Sequence, residues 1–144
     1  RIEMWERREA SAEITITDEP LIITDVSVPL DKVSTFLKRM DKILKEIDPN
    51  SRNLPVAHLG DGNIHYALYP SKDDETLFDR INTRLEEVTQ ELGGSFSAEH
   101  GVGLSKKKSM KRRKDPTALE IMRIIKQGLD PKNLMNPGKV LPDP

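Results

Sequence analysis

Apolar positions recur at three- and four-residue intervals through Val33, Phe36, Leu37, Met40, Ile43, Leu44 and Ile47, laying one hydrophobic stripe along a helix. Asp31 precedes the stripe, where its carboxylate could accept from the exposed amides of a first turn. Asp48-Pro49-Asn50 should end it. A second stripe, Leu77, Ile81, Leu85, Val88 and Leu92, predicts a helix over residues 74–92 that Gly93-Gly94 stops. A third, Leu119, Met122, Ile125 and Leu129, predicts a helix over residues 116–129 with Pro116 in its first turn. RIEMWERREA at the start suits a short amphipathic helix, whereas residues 11–20 lack a helical period and predict a loop.

Residues 21–28 are rich in Ile, Val and Thr and are closed by Pro29, the pattern of a strand. Residues 54–68 read as two short strands around a glycine turn, and residues 95–98 as another short strand. The stretch from Gly101 to Lys114 holds two glycines and a dense basic run, and its structure stays open at this level. Strands followed by helices, with a hairpin between two of them, predict an α+β fold: an antiparallel sheet with helices packed on one face, in a ferredoxin-like arrangement. The 144 residues fit a single domain, residues 1–144. The chain opens on Arg1 inside a segment that already has the character of structure, which suggests part of a longer polypeptide.

Charge narrows the partners. Lysine plus arginine number 23 against 24 acidic residues, a formal net charge of −1, so no overall bias favours nucleic acid or anionic membrane. Lys106 to Lys114 does concentrate seven cations in nine residues, but without interleaved aromatics; it reads as a solvated loop or a contact to an anionic partner rather than a nucleic-acid patch. The absence of cysteine excludes disulfides, thiolate metal sites and cysteine nucleophiles. No apolar run approaches the roughly 20 residues of a membrane span.

The chemistry concentrates in Ala57-His58-Leu59-Gly60-Asp61-Gly62-Asn63-Ile64-His65-Tyr66. Asp61-Gly62 is a favoured two-residue hairpin loop of type I′, and centring the turn there sets His58 directly opposite His65. Two imidazoles at that spacing, about 4.5 to 5.5 Å between Cβ atoms, can share one divalent cation. The same pattern also suits a plain hairpin. The third histidine, His100, sits beside Glu99 and before Gly101-Val102-Gly103, an acid and a base next to backbone without bulk. Two imidazoles and a carboxylate leave open positions on zinc, the catalytic rather than the structural pattern; manganese, iron or cobalt would suit the same donors.

HLGDGNIH, SAEHGVG and DPKNLMNPGK, with the MWERRE start and the TDVSVP strand, resemble the C-terminal part of the FAD-linked oxidases of the vanillyl-alcohol oxidase superfamily. The nearest branch includes D-lactate dehydrogenase, D-2-hydroxyglutarate dehydrogenase and the glycolate oxidase FAD subunit. The resemblance implies that His58, His65 and Glu99 bind a divalent metal, usually taken as zinc, and that His100 takes the hydroxyl proton of a 2-hydroxy acid whose hydride goes to FAD. It further implies that Arg8 helps hold the substrate carboxylate and that Asn136, with Lys139 just beyond, lies close to flavin and substrate. Some members acting on a dicarboxylate carry a lysine where this chain has Ile23, which tilts the expected substrate toward lactate, glycolate or another monocarboxylate.

No G-x-G-x-x-G is present, so FAD is expected to be bound mainly by an N-terminal domain outside these residues, with an electron acceptor protein or quinone as further partner. The expected location is the cytoplasm, or the periphery of a membrane for the full-length enzyme. Two rival readings stay open on the residues alone: a stand-alone metal-binding module, and a His-His-Glu metallohydrolase that activates water.

Overall fold

The computed structural model describes residues 2–14 and 19–143; within the first helix, the side chains of Arg8 and of residues 11–14 fall outside what is described. The order is α1 (Ile2–Ile14), β1 (Ile22–Ser27), α2 (Val33–Ile47), β2 (Arg52–His58), β3 (Asn63–Tyr69), α3 (Glu75–Glu91), α4 (Lys107–Arg113) and α5 (Pro116–Leu129). Its contacts cluster into two compact units, residues 1–98 and 99–144.

In the first unit the sheet order is β1-β3-β2, with β3 antiparallel to both neighbours. A strand, a helix, a hairpin and a second helix in this order build the ferredoxin-like core of an α+β fold, with α2 and α3 on one face of the sheet. The expected fourth strand shrinks to one bridge: Ser27 and Ser95 exchange both backbone bonds at 2.9 Å, and the Ala98 amide donates to the Asp25 carbonyl at 3.1 Å. Gly94 permits this approach, since a Cβ there would lie 2.1 Å from the Ser27 oxygen.

Alternation along β1 and β3 sends Val26, Ile64, Tyr66 and Leu68 to the helical face, where they meet Phe36, Met40 and Leu44 of α2 and Ile81, Leu85 and Val88 of α3. The Phe36 ring stands edge-on to Tyr66 with centroids 5.9 Å apart. Truncating a ring in so filled an interior costs about 3 to 5 kcal/mol, so this layer holds the sheet's register. The opposite face carries Asp25, Asn63 and His65.

Helix starts depart from expectation in one case. Asp74 caps α3 by accepting from the Thr76 and Leu77 amides at 2.8 and 3.2 Å. Asp31 does not cap α2: a short 3₁₀ turn, Leu30–Lys32, closed by the Lys32 amide on the Pro29 carbonyl, occupies that place. The helix is entered at Val33 without a side-chain cap. α1 runs to Ile14, past the loop expected from residue 11.

In the second unit Asp115 caps α5 through the Ala118 amide at 2.9 Å, with Pro116 opening the helix. The basic run folds as α4 rather than a loop, burying Met110 and pairing Lys107 with Asp143 at 3.1 Å. The α5 stripe is only partly covered: Leu119 is buried, while Ile125 and Leu129 are 54% and 79% exposed and line an open apolar cavity of about 520 Å³. Among the described residues no helix is long and apolar enough to cross a membrane.

Candidate functional site

The histidines of the first unit converge, by a route other than the one expected. β2 ends at His58 and β3 begins at Asn63, so the connection is the four residues 59–62 rather than the two-residue turn Asp61-Gly62. His58 therefore pairs with Asn63, and His65 pairs with Val56. The Asp61 and Gly62 amides both reach the His58 carbonyl, at 3.3 and 3.1 Å, and the Asp61 carboxylate accepts from the Asn63 amide at 3.0 Å. That acceptor is the physical reason the wider loop wins, because it satisfies a backbone amide that a two-residue turn would have paired across the hairpin.

Convergence survives because the register shift is two residues. Side chains alternate with period two, so His58 and His65 remain on one face as diagonal neighbours. His58 Nε2 and His65 Nε2 lie 3.0 Å apart, with ring centroids at 5.0 Å and planes at 83°. Nitrogens 3.0 Å apart subtend roughly 95° at a cation bound at about 2.0 to 2.1 Å from each. Without a cation, one Nε2–H can donate to the other ring's lone pair. Either way the two nitrogens point at a common spot.

On its other side His65 faces β1. Asp25 stands opposite His65 in the ladder, 6% exposed, with Oδ1 3.5 Å from His65 Nδ1. Sequence reasoning passed over this residue. Its signal was an acid in the strand IITDVS, on the face opposite Thr24 and Val26. Asn63 is equally buried, and its side-chain oxygen has no hydrogen-bond partner among the described residues. Ile23 shares this face, paired with Ala67 and 56% exposed.

Glu99 and His100 open the second unit. His100 Nε2 lies 3.3 Å from Glu99 Oε1, and the His100 side chain is 77% exposed. The backbone turns through positive φ at His100 (62°), Gly101 (70°) and Gly103 (56°). A left-handed conformation costs a residue with a Cβ roughly 1 to 2 kcal/mol, so His100 is held in a strained setting that only glycine would adopt freely. The Lys106 ammonium braces the segment by donating to the Glu99 carbonyl at 3.2 Å.

Asn136 also has positive φ, 49°, in a turn closed by the Lys139 amide on its carbonyl at 3.2 Å, and both residues line the apolar cavity. Residues 130–143 form turns and no helix or strand, as their Pro and Asn content suits. Asp130, the α5 cap, accepts from the Leu134 and Met135 amides at 2.8 and 2.9 Å and pairs with Lys126. The expected Arg8 position lies outside the described side chains.

An α+β layer thus presents paired imidazoles beside a buried acid, and a Glu-His-Gly segment with left-handed backbone follows in the sequence. The sequence matches the family of FAD linked oxidases, C-terminal domain, over residues 1–140, and the chain belongs to that family. It is 35% identical over 142 residues to a D-2-hydroxyglutarate dehydrogenase of Stutzerimonas stutzeri, covering 95% of this chain and 30% of that protein. It is 35% identical to the mitochondrial D-2-hydroxyglutarate dehydrogenase of Bos taurus over 99% of this chain and 26% of that protein. It is 34% identical to the mitochondrial cytochrome D-lactate dehydrogenase of Arabidopsis thaliana over 97% of this chain and 25% of that protein. The chain thus spans between a quarter and a third of the length of these relatives.

Proposed function

We propose that the chain is the substrate- and metal-binding C-terminal part of an FAD-dependent 2-hydroxy acid dehydrogenase or oxidase of the D-lactate or glycolate type. His58, His65 and Glu99 are the proposed ligands of a divalent cation, and His100 is the proposed base. The observation that carries this reading is the 3.0 Å approach of two Nε2 atoms on a rigid hairpin, a separation that one cation bridges. Glu99 follows directly on Ala98, whose amide donates to the Asp25 carbonyl.

When bound, the cation supplies Lewis acidity and FAD supplies the hydride acceptor. The chain's residues do the rest. His58 and His65 present lone pairs from one strand pair and so fix where the substrate hydroxyl can sit. His100 Nε2 lies 3.3 Å from Glu99 Oε1, which leaves Nδ1 as the nitrogen proposed to take the hydroxyl proton. Arg8 is the proposed partner of the substrate carboxylate, since a guanidinium can bind it through two bonds. Ile23 offers no cation to a second carboxylate, which favours a monocarboxylate; the names of the relatives cover both substrate types. Asn136 is the proposed contact toward the flavin, with FAD held mainly by the enzyme's own N-terminal domain and electrons leaving to a protein or quinone acceptor.

In the flavin-containing enzyme, His100→Ala should retain metal and flavin but slow flavin reduction by roughly 10²- to 10⁴-fold. His65→Ala should lose the metal, read by elemental analysis. Unchanged reduction kinetics would remove His100 from the role of base, and a metal content unaffected by His65→Ala would remove the proposed ligand set.

A further inference from the structure

The hairpin pair has a neighbour that neither composition nor motif singles out. Asp25 is the acid opposite His65 in the β1–β3 ladder, and burial withholds it from water. His65 lies between two groups: Nδ1 is 3.5 Å from Asp25 Oδ1, an approach longer than a formed hydrogen bond, and Nε2 is 3.0 Å from His58 Nε2. A neutral imidazole carries one proton on two nitrogens, so whichever nitrogen donates leaves the other as acceptor. A carboxylate only accepts, and it therefore draws the proton to Nδ1.

We propose that Asp25 is the positioning residue of this pair: its carboxylate takes the Nδ1–H of His65 and so keeps the Nε2 lone pair directed at the spot shared with His58. This rests on the proposed cation site and adds to it the group that selects the tautomer and the ring orientation. A cation on Nε2 makes Nδ1–H a stronger donor, so the two contacts reinforce each other, and outer partners of this kind typically change metal affinity 10- to 100-fold. The strand supplies the geometry: the Asp25 carbonyl is held by the Ala98 amide, and pairing with His65 puts the Asp25 side chain on the same face of the sheet as the imidazole.

The test uses the whole chain and zinc alone as probe. Affinity is measured by competition with a chromophoric chelator across pH 6 to 8, and the His65 tautomer is read by long-range ¹H–¹⁵N correlation in the metal-free chain. Wild type should show the Nδ1–H tautomer. Asp25→Ala should populate both tautomers and bind zinc 10- to 100-fold more weakly. Asp25→Asn, which keeps an accepting oxygen and the shape, should retain the tautomer and fall in between; it also carries the test if the alanine variant does not fold. Wild-type affinity and tautomer in both variants, with zinc binding still lost in His65→Ala, would overturn the role of Asp25 and leave the metal reading standing. Failure of the wild-type chain to bind zinc would overturn both.

Discussion

Gly62 is where the candidate site is tied into the fold. It has φ of 78°, and a Cβ there would lie 2.0 Å from the Val28 carbonyl oxygen. Its own carbonyl accepts from the Val28 amide at 3.1 Å, joining the hairpin tip to the residue that follows β1. Gly62→Ala should therefore cost on two counts. The left-handed conformation costs alanine about 1 to 2 kcal/mol. Relieving the overlap must move one backbone away from the other, and losing their hydrogen bond adds about 0.5 to 1.5 kcal/mol. The expected loss is about 1.5 to 3.5 kcal/mol, large beside a typical domain stability of about 5 to 15 kcal/mol.

Gly60 in the same loop is the control, because a Cβ there meets nothing within 4 Å and its φ is not positive. Gly60→Ala should stay within about 0.5 kcal/mol of wild type. Urea unfolding followed by circular dichroism compares the three proteins directly, and thermal midpoints should separate by about 4 to 8 °C per kcal/mol for a unit of this size. A Gly62→Ala protein as stable as Gly60→Ala would refute the argument that this loop is fixed by its contact with Val28.

Two further outcomes follow from buried groups. Burial, and then the charge of Asp41, raise the Tyr66 phenol above its ordinary value, so the fold binds the neutral form. That contribution is complete below the unfolded value of about 10 and lost as pH rises beyond it; urea unfolding at pH 9 and 11 should show a decline that Tyr66→Phe reduces, and identical declines would contradict the assignment. The bond from Lys126, working against burial and joined by the Met135 and Leu134 amides, lowers Asp130. Its support of the tail is present above the unfolded carboxylate value of about 3.9 and lost as pH falls through the lower folded one. Asp130→Ala should speed hydrogen exchange at the Leu134 and Met135 amides on the order of tenfold near neutral pH, and unchanged protection would show that the tail is held otherwise.

The helices of the first unit were legible because their stripes meet a sheet that buries them: Phe36, Met40, Ile81 and Leu85 sit where the period predicts. α5 has the same kind of stripe, yet Ile125 and Leu129 stay open to the cavity, since period reports which residues share a face and not what covers it. The histidine pair was legible through parity, although the loop length was not. The Asp61 carboxylate bonding the Asn63 amide is a side-chain choice that turn preferences average over. Asp25 escaped notice because its partner is 40 residues away and only strand register reveals it. The left-handed backbone at His100 has no signal in the sequence beyond the glycine that follows it.

The rudimentary fourth strand sets a rule for how this domain can change length. Between Ser95 and Glu99 the count of residues is constrained: the chain is anchored at Ser95 and again at Ala98, and the ladder stops before the positive-φ turn. Insertion or deletion of one residue there would present the wrong side chain to the turn and leave glycine's place to a residue that resists it. Homologous domains can therefore be expected to keep a constant count of residues through the Ser95–Glu99 step.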